Sequence, residues 1–330
     1  MLRTFWHDAD HLAAVPPDPN PEVTVVPVWY DLINPTQEED KTVERQLGIS
    51  IPTRDEMEDI ELSARLYQEN GAEFMTMTAL TNLDGDSPVK TAITFILKGP
   101  TLVTVRYAEP KPFDMFLSRA QRANGSGVSC ASGEILMTGL IEALIDRMAE
   151  ALERLGNEID GISREVFRSK IDKATKKTRN LQSLIEQIGR KGDSLTMVRE
   201  SLVSISRLVA YHAALESGDR KLSKEARQRI KLIQRDAASL GEHATFLASK
   251  INFLLDATLG LINLEQNQII KIFSVAAVVF LPPTLVASIY GMNFEFMPEL
   301  HLSLGYPLAI GLMILSAILP FLYFKRRGWL

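Results

Sequence analysis

Gly291, Met292 and Asn293 are followed within a few residues by Glu295 and Glu299, and the 11-residue segment 291–301 that holds all five contains neither lysine nor arginine. A neutral amide oxygen beside two carboxylates suits attraction of a cation without tight binding. The carboxylates raise the local cation concentration through their field. The amide can accept hydrogen bonds from the water that a small, strongly hydrated divalent ion keeps around itself. No glycine-rich phosphate loop, nucleophile elbow or plausible metal-ligand cluster stands in residues 1–260, so the chain does not read as an enzyme.

The elements that must position these residues are the two long uncharged apolar runs of the chain, 272–290 and 302–324, of 19 and 23 residues. Each is long enough to cross roughly 30 Å of hydrocarbon as a helix, which makes 291–301 the connection between two spans. Lys271 precedes the first run, and Lys325, Arg326 and Arg327 follow the second. Basic residues stay on the inner side of a membrane, so both termini are expected inside and the connection outside. The N-terminal MLRTFWHDADHLAAVPP has Asp8 and Asp10 and no long apolar core, and does not read as a secretory signal.

At about 100° per residue, Asn267, Ile270, Ser274, Ala277, Leu281, Thr284, Ser288 and Gly291 fall on one stripe leading through the first span. Small and weakly polar residues on one face serve either close helix packing or the lining of a water-filled path, and the stripe by itself admits both. Pro282 and Pro283 free the carbonyls of Val278 and Val279, which inside a membrane need water, the Thr284 hydroxyl or a kink. Beyond Lys271 the span carries no ionisable group, unlike a pump or proton-coupled carrier, so any conduction is expected to be passive. Two helices cannot enclose a path, so a path requires several copies of the chain.

Upstream, the chain is 46% hydrophobic and 23% charged with a net charge of −5, and its basic residues alternate with acids, which argues against nucleic acid as a partner. A single cysteine, Cys130, and five scattered histidines at 7, 11, 212, 243 and 301 exclude an internal disulfide and a multi-cysteine zinc site. Residues 1–133 read as a small α/β domain. Its strands are expected at 23–29, 72–80, 89–97 and 101–107, with turns at LDGDS and KGP, and its helices at 36–47 and 53–67. The second helix opens on a capping box between Thr53 and Glu56. GSGVSCASGE at 125–134 lacks the lysine of a phosphate-binding loop and reads as a linker. Long antiparallel helices are expected over 134–218, with breaks at Gly192 and Asp193 and at 217–219. A stalk helix over 219–271 then runs into the first span at 272–290; the outer loop 291–301, the second span 302–324 and a basic tail 325–330 complete the chain.

GMN at 291–293, preceded by PPTLVASIY and followed by FEFMPEL and a span ending YFKRRGWL, resembles the CorA magnesium transport proteins. WYDLINPT at 29–36 and TRDEMEDIELSAR at 53–65 extend the similarity over nearly the whole chain. The resemblance implies a funnel-shaped homopentamer in the cell inner membrane, passing Mg2+ and also Co2+ and Ni2+. In it a ring of Gly291, Met292 and Asn293 stands at the outer mouth, and Asn267, Ile270, Leu281 and Thr284 occupy pore-facing positions. It further implies regulatory Mg2+ sites between neighbouring inner domains, for which Asp84 and Asp86 of the LDGDS turn and Asp236 of the stalk are the nearest matches. Two alternatives stand beside it: a zinc-transporting member of the same superfamily, and a receptor or enzyme that the spans merely anchor in the bilayer.

Overall fold

A computed structural model describes residues 1–8, 11–16, 26–59, 61–85, 87–122, 130–168, 174–215, 224–293, 297–298 and 304–328. The chain divides into two compact units. The first comprises Met1–Phe167 with Ile185–Leu254, and the second Arg168–Leu184 with Leu255–Leu330.

The first unit is built on a seven-stranded sheet. Its strands are β1 (Leu2–Asp8), β2 (His11–Ala13), β3 (Trp29–Ile33), β4 (Leu66–Glu69), β5 (Ala72–Thr81), β6 (Val89–Lys98) and β7 (Thr101–Arg106), in the spatial order β2-β1-β3-β7-β6-β5-β4. Only β3 and β7 run parallel, with Asp31 opposite Thr104; the other neighbours are antiparallel. All residues of β3 and β7 are buried, so these central strands are covered on both faces. One face carries Tyr30, Leu32, Phe74, Ile96, Val103 and Val105 against Val43, Ile49 and Met57. On β3 and β7 the intervening positions hold Trp29, Asp31, Thr104 and Arg106, and the aromatic rings of Trp29 and Arg106's guanidinium meet Phe113.

The helices of this unit begin with α1 (Gln37–Leu47), α2 (Arg54–Glu58), α3 (Leu62–Arg65) and α4 (Lys111–Ala120). The capping box expected at Thr53 and Glu56 forms, and Thr36 and Glu39 make another at the start of α1. The single helix expected over 53–67 instead breaks into α2 and α3 and becomes strand at Leu66, because Leu66–Glu69 pairs with β5. Of the strand expected over 23–29, residues 23–25 lie outside the described residues, 26–28 are not strand, and Trp29 begins β3. Register explains the shift, since Trp29 to Ile33 pair with Leu102 to Arg106 and place the alternating apolar residues in the layer over α1. The N-terminal strands β1 and β2 escaped the sequence reading. Beyond the end of β4, the Thr78 amide of β5 donates to Ser204 Oγ at 2.9 Å, and Ser201 Oγ donates to the Thr78 carbonyl at 2.6 Å.

The two serines belong to α6 (Ala174–Leu215), which follows α5 (Gly133–Arg168). Helix α5 starts where Gly133 donates its amide to the Pro100 carbonyl at 2.7 Å. A Cβ there would lie 2.4 Å from the Leu102 amide nitrogen, so the approach requires glycine. Gly192 and Asp193 do not break the helix; α6 passes through them. Leu184, Ile188, Leu195, Val198, Leu202 and Ile205 keep one buried stripe across the site, and an interior glycine costs only about 1 kcal/mol, less than the packing retains. The expected break at 217–219 and the loop residues 123–129 lie outside the described residues.

Helix α7 (Lys224–Tyr290) is 67 residues long and continuous through Pro282 and Pro283. Its buried positions Ala226, Ile230, Ile233, Ala237, Ala244, Leu247, Ile251 and Leu254 follow the expected stripe, but Leu264 is exposed. Alternating steps of four and three residues from Leu247 lead instead to Thr258 and Glu265, both buried, the spacing of a heptad seam. The second unit takes the remainder of α7 and α8 (Gly305–Arg326). Both α7 and α8 contain stretches long and apolar enough to cross a membrane.

Candidate ion pathway

The last turns of α7 present two contrasting faces. Val275 is buried, and Ala276, Val279, Pro282, Pro283, Val286 and Tyr290 are half-buried. Asn267, Ile270, Ser274, Ala277, Leu281, Thr284, Ser288 and Gly291 are all exposed. At about 100° per residue the centres of these two sets lie roughly 180° apart. Thus the stripe of small and polar residues lies within the broader face that a single chain leaves uncovered, which also holds Phe273, Val278, Phe280 and Leu285. Ile270 and Leu281, the bulkiest residues on it, are 61% and 68% exposed.

The Thr284 hydroxyl donates to the Phe280 carbonyl at 2.8 Å. It therefore does not relieve the carbonyls of Val278 and Val279 that the prolines free, although its oxygen keeps acceptor capacity toward water. At the helix exit, Gly291 donates to the Ala287 carbonyl at 2.9 Å and Met292 to Ile289 at 3.3 Å. A Cβ at position 291 would stand 3.1 Å from the Ala287 oxygen, so glycine lets the backbone close this last turn tightly. Met292 and Asn293 follow, both exposed. Glu295 and Glu299, the outer acids, lie outside the described residues.

Glu265 occupies the covered side of α7. It is 8% exposed, and neither carboxylate oxygen has a hydrogen-bond partner among the described residues. Sequence reading passed over it because a lone glutamate on a long polar-apolar helix looks like any solvated residue; only the seam places it inside.

The inner carboxylates are arranged differently. Asp84 accepts from Lys111 Nζ at 2.6 Å through Oδ2, and from Arg154 at 2.8 Å and Arg147 through Oδ1. Hydrogen bonds from Lys111, Arg154 and Arg147 hold its carboxyl far below the usual range. Asp236 sits 3.9 Å from its neighbour Arg235, and Asp86 lies outside the described residues. Among the described residues of one chain, no three histidine, cysteine or acidic side chains gather closely enough to hold a metal ion, so Asp84 and Asp236 are not brought together in such a group.

Two further polar clusters lie in the first unit. Asp31 and Arg106 are each 1% exposed and form a paired contact, with Nη2 to Oδ2 at 2.8 Å and Nε to Oδ1 at 3.0 Å. Thr104 donates to Asp31, Trp29 donates to Thr104, and Arg106 Nη1 donates to the Ala108 carbonyl. His212 lies between Glu73, at 2.8 Å from Nδ1, and Glu134, at 3.4 Å from Nε2. Burial would lower the imidazole pKa, but the bonds to Glu134 and Glu73 outweigh it and raise it to about 9. Cys130 is buried, and burial pushes its thiol up to about 11.

Comparison with known proteins places these elements in a family. The Magnesium transport protein CorA of Pectobacterium atrosepticum is 38% identical over 336 aligned positions, covering 100% of both chains. That of Escherichia coli K12 is 38% identical over 333, again covering 100% of both. The complete structure of the CorA magnesium transporter from Methanocaldococcus jannaschii superposes with a TM-score of 0.77 at 18% identity, covering 100% of this chain and 99% of that one. It shares the fold: an α/β domain, long helices and two apolar C-terminal helices. Residues 26–326 match the family described as CorA-like Mg2+ transporter protein, and with full-length relatives at this identity the chain belongs to that family.

Proposed function

We propose that the chain forms a homopentameric channel in the cell inner membrane through which Mg2+ enters passively, with Co2+ and Ni2+ as further cargo and both termini cytoplasmic. The observation that carries this reading is the uncovered stripe from Asn267 to Gly291, directly opposite the covered face of α7. A surface of asparagine, serine, threonine and small residues is poorly suited to lipid, and copies arranged about an axis would turn it inward onto water. Self-association has support on the same helix: Leu232, Phe246 and Phe253 are half or more exposed on one side of α7, large apolar side chains that a partner could cover. The unpartnered Glu265 carboxylate adds to it, since burying a charge without a counter-group is costly and a neighbouring copy can supply one.

In this reading Gly291, Met292 and Asn293 form the outer ring. Gly291 closes the helix so that Asn293 follows at its mouth, and the amide oxygen accepts hydrogen bonds from water that Mg2+ retains. Glu295 and Glu299 enrich cations in front of the ring. Ser274, Ala277, Thr284 and Ser288 line the path with weak dipoles, while Ile270 and Leu281 narrow it to a hydrophobic constriction that water must wet before ions pass. Mg2+ held by Asp84, Asp86 and Asp236 across a boundary between copies favours the narrow state. At Asp84 it must compete with Lys111, Arg147 and Arg154, so this acid contributes only where those cations are displaced.

The deciding experiment combines the mass of the detergent-solubilised complex with uptake of Mg2+ into liposomes that contain it. Five subunits and saturable uptake are expected. A monomer, or a complex that passes no Mg2+, would reduce the helices to an anchor. Competition between Mg2+ and Zn2+ in the same liposomes separates the zinc-transporting alternative.

A further inference from the structure

Beside the edge of β5, the first unit has a concavity of about 330 Å3 whose lining includes three arginines. Arg65 enters from the end of α3, and Arg199 and Arg207 from α6. Arg65 is fixed in place: its Nε donates to the Asp59 carbonyl and its Nη1 to Thr78 Oγ1 at 3.2 Å. Arg199 and Arg207 make no ion pair or hydrogen bond with any described residue. The one acid in the lining, Glu200, is engaged by Lys90. Three guanidiniums therefore share one hollow with no free carboxylate in its lining, on a chain whose net charge is −5. Arg199 and Arg207 are exposed, so an anion entering the hollow displaces no protein counter-ion from either.

We propose that this hollow binds a small anion with two or more linked phosphates. Three arginines lining one space call for a ligand of several negative charges, and the planar fork of arginine matches phosphate oxygens two at a time. The hydroxyls of Thr76, Thr78 and Ser204 in the lining supply neutral hydrogen-bonding groups. The volume is at the small end of ligand sites, enough for a di- or triphosphate chain. Leu66 and Val203 are the apolar members of the lining, and Val203 is exposed, so a base or other ring attached to the chain has a surface to lie on. None of these residues belongs to α7 or α8, and the site is independent of the ion pathway.

The test is equilibrium binding to the detergent-solubilised full chain in Mg2+-free buffer with EDTA, using tripolyphosphate and ATP as separate probes. Saturable binding of at least one probe below about 1 mM is expected. Equal affinity for the two would show that the hollow reads the phosphate chain alone; tighter ATP would show that Leu66 and Val203 seat the base. Arg199→Ala with Arg207→Ala should weaken binding at least tenfold, while Arg199→Lys with Arg207→Lys, which keeps charge but loses the fork, should fall between. Because neither arginine has a partner to lose, both variants should elute and unfold as the unaltered protein does. Binding unchanged in the folded double-alanine variant, or no saturable binding by the unaltered chain, would overturn the proposal.

Discussion

In the middle of the sheet, Asp31 is enclosed by Arg106 and Thr104, and Arg106 has Ala108 and the Phe113 ring besides. On the stripe of α7 that runs through Asn267, Ser274, Thr284 and Ser288, and at Asn293 beyond its end, the polar side chains stand exposed and carry no formal charge. The sheet can keep two ions away from water because each is met by a fixed counter-group, which makes that region rigid and selective for one arrangement. A path for a hydrated ion needs the reverse, oxygens with spare capacity and no fixed charge strong enough to hold the cargo. Comparing the two regions separates polar groups that are used up by the fold from those left available to a ligand.

The sharpest attack on this contrast is at Asn293. If its amide accepts from ion-bound water, Asn293→Ala should abolish Mg2+ uptake while leaving the assembled complex unchanged, as judged by uptake into liposomes and by the mass of the complex. Wild-type uptake by an intact variant would contradict the proposed role. The matching test in the sheet is Asp31→Ala, which strands the Arg106 charge where water cannot reach it. A loss of roughly 3–5 kcal/mol is expected for breaking a buried pair from one side, read from urea unfolding of the full chain. A loss below about 1 kcal/mol would mean that the arginine finds other hydration or partners.

His212 offers a test by pH. Its imidazole is raised from an unfolded value of 6.5 to about 9, so its contribution is fully present below about pH 6.5 and is lost as pH rises through about 9. Unfolding measured across that window should show stability falling by roughly 3 kcal/mol, and His212→Gln should flatten the profile. An unchanged slope in the variant would place the proton elsewhere.

The smallest effect is expected outside the membrane. Glu295→Gln with Glu299→Gln should weaken uptake chiefly at low Mg2+ and low salt, since screening suppresses enrichment by a field. Complete loss at saturating Mg2+ would mean that these acids bind the ion themselves.

These regions also differ in how far their sequence discloses them. The apolar run 272–290 and the GMN segment are contiguous, so the length of the run, the 3.6-residue stripe and the neutral amide of Asn293 are visible without a fold. The capping box at Thr53 and Glu56 is local in the same way. Asp31 and Arg106 are 75 residues apart, and Glu73, Glu134 and His212 come from a strand and two helices; nothing in any one segment announces the partner. The displaced strand at 29–33 follows from the same cause. An aspartate in the middle of WYDLI looks unlike a buried strand until its arginine is known. Gly192 and Asp193 mislead in the opposite direction, because local propensity suggests a break that long-range packing of α6 overrides. Asp84 is conspicuous in its turn, but the three cations around it come from α4 and α5.

The serines that meet Thr78 have a consequence for the homopentamer proposed above. Past the end of β4, the edge of β5 would otherwise offer a bare amide and carbonyl to any strand that came near. Copies tethered in one complex face each other at an effective concentration that can reach the millimolar range, where even a poor template for strand addition is used. By spending Ser201 and Ser204 on that amide and carbonyl, α6 shields the sheet from annealing to a second copy, which would leave association in the proposed assembly to side chains rather than to backbone.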